Sequence, residues 1–209
     1  MRRYLLTIPA FFVFSVVTRA QSTTPDTSAR SWNFSANAYF YFVKEDKNLP
    51  SFIATADHSR LHLEARYNYE DQRTASLFAG WRFEFGKTLK FEATPILGGA
   101  FGNLNAVIPG LEIDAHYKKF GFYAESEYVF DFSGFQNNFL YAWGELGFTF
   151  LKSVNAGISY QRTRLYHINS DITLGPYAKV SLGRFTLGGY YFNPFTQNYV
   201  LVVMAGVEF

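Results

Sequence analysis

The chain has 209 residues, with 19 Lys and Arg against 17 Asp and Glu for a formal net charge of +2; it is 48% hydrophobic, 20% aromatic and only 17% charged, with 24 Phe, 15 Tyr and no Cys. So much apolar and aromatic surface excludes a disordered chain. The lack of Cys excludes a disulfide scaffold or a thiolate metal site, and the near-balanced charge argues against a nucleic-acid binder.

In chain order, Arg2 and Arg3 precede a mostly apolar run from Tyr4 to Val17, and Thr18-Arg19-Ala20 places small residues where a signal peptidase cuts. Residues 1–20 are read as a secretory signal peptide. The run is short for a membrane-spanning helix, which needs about 20 residues. Removing Arg2, Arg3 and Arg19 leaves 16 basic against 17 acidic residues, a charge of −1. Residues 21–31, QSTTPDTSARS, are small and polar and read as a periplasmic tether.

From residue 32 onward, hydrophobicity alternates with a period of two, the mark of strands with one apolar face. Trp32, Phe34, Ala36, Ala38, Phe40 and Phe42 share one phase, and Asn33, Ser35, Asn37, Tyr39 and Tyr41 the other. Leu61 to Tyr67, Leu77 to Phe85, Phe91 to Leu97, Leu111 to Tyr117 and Phe120 to Tyr128 repeat the pattern. So do Leu140 to Phe150, Val154 to Tyr160, Leu174 to Leu182, Phe185 to Tyr191 and Tyr199 to Phe209. Short turns at Gly86-Lys87-Thr88, Lys118-Lys119, Lys152-Ser153 and Gly183-Arg184 alternate with longer loops at 98–109, 131–138, 164–171 and 194–198. For consistent strand direction one more crossing is needed between 44 and 60, and Ser51 to Ala56 supplies it. The count becomes twelve, with ten and fourteen as alternatives.

The chain closes on YVLVVMAGVEF, in which Tyr199, Leu201, Val203, Ala205, Val207 and Phe209 form one apolar phase. A terminal Phe ending an alternating strand resembles the C-terminal signal of bacterial outer-membrane β-barrel proteins. The resemblance implies export from a Gram-negative cell, recognition by the barrel-assembly machinery, and a place in outer-membrane lipid. The expected fold is all-β: residues 32–209 form a transmembrane antiparallel up-and-down barrel of about twelve strands.

Twelve strands ~4.8 Å apart and tilted ~40° give a backbone diameter of roughly 24 Å. Apolar side chains are not expected to fill such a tube, so the polar phase should face a wet lumen and the apolar phase lipid. Tyr67, Tyr128, Tyr160, Tyr191 and Tyr199 would then form a phenolic belt near the long loops. Phe83, Phe85, Phe91, Phe120, Phe122, Phe148, Phe150, Phe185 and Phe209 would form an apolar belt near the short turns.

The lumen-lining residues predicted by phase are Arg60, His62, Glu64, Arg66, Arg82, Glu84, Glu92, Glu112, Asp114, His116, Glu125, Glu127, Glu145 and Lys179, with Lys90, Lys118 and Glu208 nearer the ends. They either fill and stiffen the barrel by pairing or line a channel with an acidic surplus. The glycine-rich stretch 98–109 reads as a loop, at the surface or folded inward. Enzyme signals are weak. Ser126 falls on the lipid phase, and His62 with Glu64 resembles a proton-transfer pair but suits core pairing better. Glu70-Asp71 and Glu45-Asp46 read as solvated loop acids rather than metal ligands. No cofactor is expected. The functional expectation is a narrow porin-like channel for small polar solutes with weak cation preference; the alternatives are a plugged structural or surface-binding barrel and a lipid-modifying enzyme.

Overall fold

The structure is a computed structural model and describes residues 31–44, 46–165 and 172–209. The expected signal peptide and nearly all of the tether lie outside the described residues, as do Glu45 and His167.

Successive side chains on a strand point to opposite faces, so alternating sequence becomes alternating burial. The crossings are β1 (Asn33–Val43), β2 (Leu49–His58), β3 (Leu61–Tyr67), β4 (Thr74–Trp81), β5 (Phe83–Phe85), β6 (Lys90–Gly102) and β7 (Ala106–Tyr117). They continue with β8 (Phe120–Asp131), β9 (Phe139–Leu151), β10 (Val154–Arg162), β11 (Thr173–Leu182), β12 (Phe185–Phe192) and β13 (Val200–Glu208). Sequence neighbours pair antiparallel, β1 pairs with β13, and β4 and β5 both pair with β6, so the sheet closes. β4 and β5 are two halves of one crossing, interrupted at Arg82. The result is a closed twelve-crossing barrel, and β2 is the extra strand expected over 51–56.

Hairpins on one side turn through pairs whose first member has positive φ: Ser59 at 58°, Lys118 at 56° and Gly183 at 63°. Such turns match the twist of the flanking strands. The connections after β1, β3, β8, β10 and β12 leave from the opposite end, and those described throughout, at 68–73, 132–138 and 193–199, are longer.

The outward phase carries Leu77, Leu97, Leu146, Ile158, Leu187 and Leu201, all exposed. An apolar surface that continuous suits hydrocarbon and not water. The aromatic belts are less segregated than expected. Phe101, Phe130, Phe132 and Phe195 are exposed at the loop end, and Trp32, Trp81 and Tyr117 at the turn end. Side-chain phase fixes which face a ring takes, but it places no constraint on which end carries hydroxyls.

Two sequence expectations are corrected. The stretch 98–109 is not a loop: β6 runs to Gly102, β7 starts at Ala106, and only three residues connect them. Gly98 is a strand residue whose missing side chain leaves room for the Phe78 ring, which a Cβ there would strike. Nor is the interior wholly polar. Tyr41, Tyr141, Tyr190, Phe192, Val200 and Val202 point inward and are at most 1% exposed. The diameter estimate assumed a round, open section. Rings and long side chains reach inward from opposite walls, and they meet.

Candidate functional site

The lumen has three zones. Nearest the long loops, Tyr41 of β1, Tyr141 and Trp143 of β9, Tyr190 and Phe192 of β12 and Val200 and Val202 of β13 form one apolar cluster. Tyr69 and Leu165 join it from the loops after β3 and β10. Trp143 packs edge-on against Tyr190 at 5.0 Å and Phe192 at 5.5 Å between ring centroids, and against Tyr39 of β1 at 6.3 Å. A second cluster of Phe78, Ile96, Leu104, Ile108 and Val129 fills the other arc. Together they make a stopper across the outer half of the lumen.

Below it, Arg66 of β3 is buried and crosses the lumen. Its Nη1 lies 2.6 Å from Glu127 and 2.9 Å from Glu125, both on β8, and 3.3 Å from Glu70. Its Nε pairs with Glu64, and Nη2 lies 4.0 Å from Glu112. The rings of Tyr69 and Phe78 sit 4.7 and 4.2 Å from its guanidinium carbon. Tyr69 donates to Glu125 at 3.0 Å, and Ser76 donates to both Glu70 oxygens at 2.9 and 2.8 Å. Only a long, flat, five-donor cation can serve so many acids at once.

The third zone is a cavity of about 630 Å3 on the short-turn side, lined among others by Asn37, His62, Glu64, Glu112, Glu145 and Lys179. His62 Nδ1 lies 2.7 Å from Asp57 and Nε2 2.7 Å from Glu64. On the far wall, Glu145 accepts from Lys179 at 2.6 Å, Tyr190 at 2.8 Å and Trp143 at 3.1 Å.

The residues expected on the lumen wall separate into groups. His62, Glu64, Glu112, Asp114, His116, Glu125, Glu145 and Lys179 border the cavity, with Glu208 at its rim. Arg66 and Glu127 are sealed above it. Arg82 bridges Asp57 at 2.7 Å and Glu92 at 2.8 Å near the turn end. Arg60 does not line the lumen: it lies in the Ser59-Arg60 turn, where the strand phase no longer fixes direction, and is exposed. Glu84 on the three-residue β5 is exposed too, past the break at Arg82, and Lys118 lies in a turn. Asp114 and His116 pair at 2.9 Å, half-exposed at the rim.

Sequence reasoning missed Glu70, which was read as a solvated loop acid. The loop after β3 folds over the lumen and buries it completely. Asp57 was missed as well, lying just past the strand expected over 51–56. The inward aromatics Tyr141, Trp143, Tyr177 and Tyr190 had a usable signal, since Tyr141 and Trp143 share their phase with Glu145 and Tyr177 shares its phase with Lys179. Ser126 is exposed on the lipid face, whereas His62 is held between carboxylates inside the barrel.

No protein-family model and no curated protein sequence matches the chain. Among solved structures, a KdgM porin superposes with a TM-score of 0.58 at 14% identity, over 84% of this chain and 98% of that one. A KdgM porin in complex with disordered oligogalacturonate gives 0.56 at 14% identity, with the same coverage. The Acinetobacter baumannii outer membrane protein Omp33 gives 0.48 at 10% identity, over 87% of this chain and all of that one. Closed by antiparallel pairing, apolar outside and superposable on a porin along nearly its whole described length, the chain has the fold of a twelve-stranded porin-like outer-membrane barrel.

Proposed function

We propose that the protein is an outer-membrane channel for small polar solutes, preferring cations, whose lumen is shut in this conformation by the aromatic stopper. The acidic cavity carries this reading. Glu64, Glu112, Asp114, Glu125, Glu145 and Glu208 line it, against Lys179 as the one Lys or Arg among the described residues. A surplus of one sign in a low-dielectric tube concentrates counter-ions. One fold neighbour was solved with an acidic saccharide; the carboxylates here would repel such a chain, so that ligand does not transfer. On this reading residues 1–20 direct export, the terminal strand directs insertion by the assembly machinery, and lipid surrounds the wall. Nothing in the placement of Ser126 and His62 supports a lipid-modifying enzyme.

A second reading, a permanently stoppered structural barrel, is favoured by one observation: Tyr141 and Phe192 are fully buried inside the outer half of the lumen. Planar-bilayer recording separates the two. The channel reading expects brief wild-type openings without a steady open current, whereas a permanently stoppered barrel expects unbroken wild-type silence. The double variant Tyr141→Ala, Trp143→Ala, checked for folding by its heat-modifiable gel mobility, is expected to conduct. Steady wild-type current would refute the stopper. A folded but silent double variant would leave only the structural barrel.

A further inference from the structure

Five carboxylates, from Glu64, Glu70, Glu112, Glu125 and Glu127, converge on one arginine and one histidine inside the barrel. Buried charge without a counter-charge is costly. Part of this cluster has the donor set and spacing of a metal site. His62 and Glu64 stand two apart on β3 and so share the inward face, while Glu112 comes from β7 on the neighbouring arc. His62 Nε2 lies 2.7 Å from Glu64 Oε1 and 3.6 Å from Glu112 Oε2, and one ligand atom from each of the three falls within 4.8 Å of the others. Ligand atoms around a tetrahedral ion with bonds of about 2.1 Å are separated by roughly 3.4 Å, so small side-chain adjustments accommodate one.

Two further features point to a ligand. Asp57 holds His62 Nδ1 at 2.7 Å, which aims Nε2 at the two carboxylates. A carboxylate on the remote nitrogen is the usual outer support of a metal-bound imidazole. Independently, Glu125 is 3% exposed, borders the same cavity and is the cross-strand partner of Glu112, yet its Oε1 accepts no hydrogen bond. Arg66 Nη1 stands 2.9 Å from that oxygen, and its donors are divided among the other acids. The cavity connects the three ligands to the short-turn end, which gives an ion a route in and leaves a coordination position facing water.

We propose that His62, Glu64 and Glu112 form a binding site for a divalent transition-metal ion, with Asp57 as the residue that orients His62. One imidazole and two carboxylates suit zinc and its neighbours, whereas calcium and magnesium favour all-oxygen shells. The ion would also supply positive charge where the cluster lacks it. The site needs only the fold and the cavity, and it stands whether or not the barrel conducts.

The test uses the intact barrel purified in detergent, titrated calorimetrically with zinc chloride. One equivalent should bind, and a large excess of magnesium should not displace it. Glu112→Gln and His62→Ala should each abolish that binding, and Asp57→Asn should weaken it by roughly 10- to 100-fold. His116→Ala at the rim should leave it intact. Because His62→Ala removes a buried ring that is hydrogen-bonded at both nitrogens, X-ray absorption on the zinc-loaded wild type gives a variant-free readout, expected to show nitrogen and oxygen ligands including imidazole. Absence of binding to the wild type, or binding unchanged in folded Glu112→Gln, overturns the site. Bilayer silence would bear on the channel reading and leave this one untouched.

Discussion

Arg66 shows how much one side chain can determine. It is buried, touches four carboxylates within 3.3 Å or closer, and spans from β3 to β8. Removing one partner from a buried ion network leaves charge without compensation, at a cost of about 3–5 kcal/mol. Arg66→Met should therefore lower the urea midpoint of the refolded barrel by an equivalent amount. Glu127→Gln should change it by less than about 1 kcal/mol, because it removes one negative charge from a cluster that has a surplus. Equal losses in the two variants would contradict this charge count. Gly98 acts through shape. A Cβ there would strike the Phe78 ring, so Gly98→Ala should cost roughly 1–3 kcal/mol by overpacking. Adding Phe78→Leu should recover most of that loss, since contacting residues are not additive. Independent losses in a double-mutant cycle would show that the ring does not set the requirement for glycine.

At the level of elements, turn length orients the barrel. Two-residue hairpins after β2, β7, β9 and β11 mark one end, and the seven-residue connection 132–138 marks the other. Cysteine at Asn137 should react with an impermeant thiol reagent on whole cells, and cysteine at Thr88 or Ser153 should not; reversed labelling would invert every strand. β13 closes the sheet on β1, with Ser35 opposite Glu208 and Phe42 opposite Leu201. Phe209 continues the seam by donating its amide to Phe34 at 2.9 Å. Deleting Phe209 should reduce insertion into the outer membrane while export to the periplasm continues. Unchanged heat-modifiable mobility in membranes would remove the basis for assigning an assembly role to the terminal strand.

For the whole molecule, the decisive property is contact across the lumen. Arg66 of β3 reaches Glu127 of β8, four crossings away around the wall, and Tyr69 reaches Tyr141 with ring centroids 5.0 Å apart. On the proposed channel reading, these side chains close a pathway that the backbone alone would leave open. Once the stopper is thinned, the remaining wall is acidic, and reversal potentials under a KCl gradient should show cation preference. The preference should fade as salt shortens the Debye length below ~10 Å, its value near 0.1 M. Glu125→Gln should weaken it. Anion selectivity in a conducting variant would mean that the cavity carboxylates do not control the ion's path.

The strand alternation and the contrast between short and long connections made the closed barrel and its twelve crossings legible in the sequence. Side-chain phase is a local property, fixed by the pleat of each strand. It therefore also showed which of His62, Glu64, Arg66, Glu112 and Glu125 face inward. It could not show that Glu112 of β7 comes within 3.6 Å of His62 of β3, or that Glu70 turns from its loop into the barrel. It likewise could not reveal that Gly98 belongs to a strand beneath Phe78. Those facts depend on how the sheet closes and how far side chains reach across it. Whether the lumen is a tube or a stopper is set by distances between opposite walls, and no local repeat encodes them.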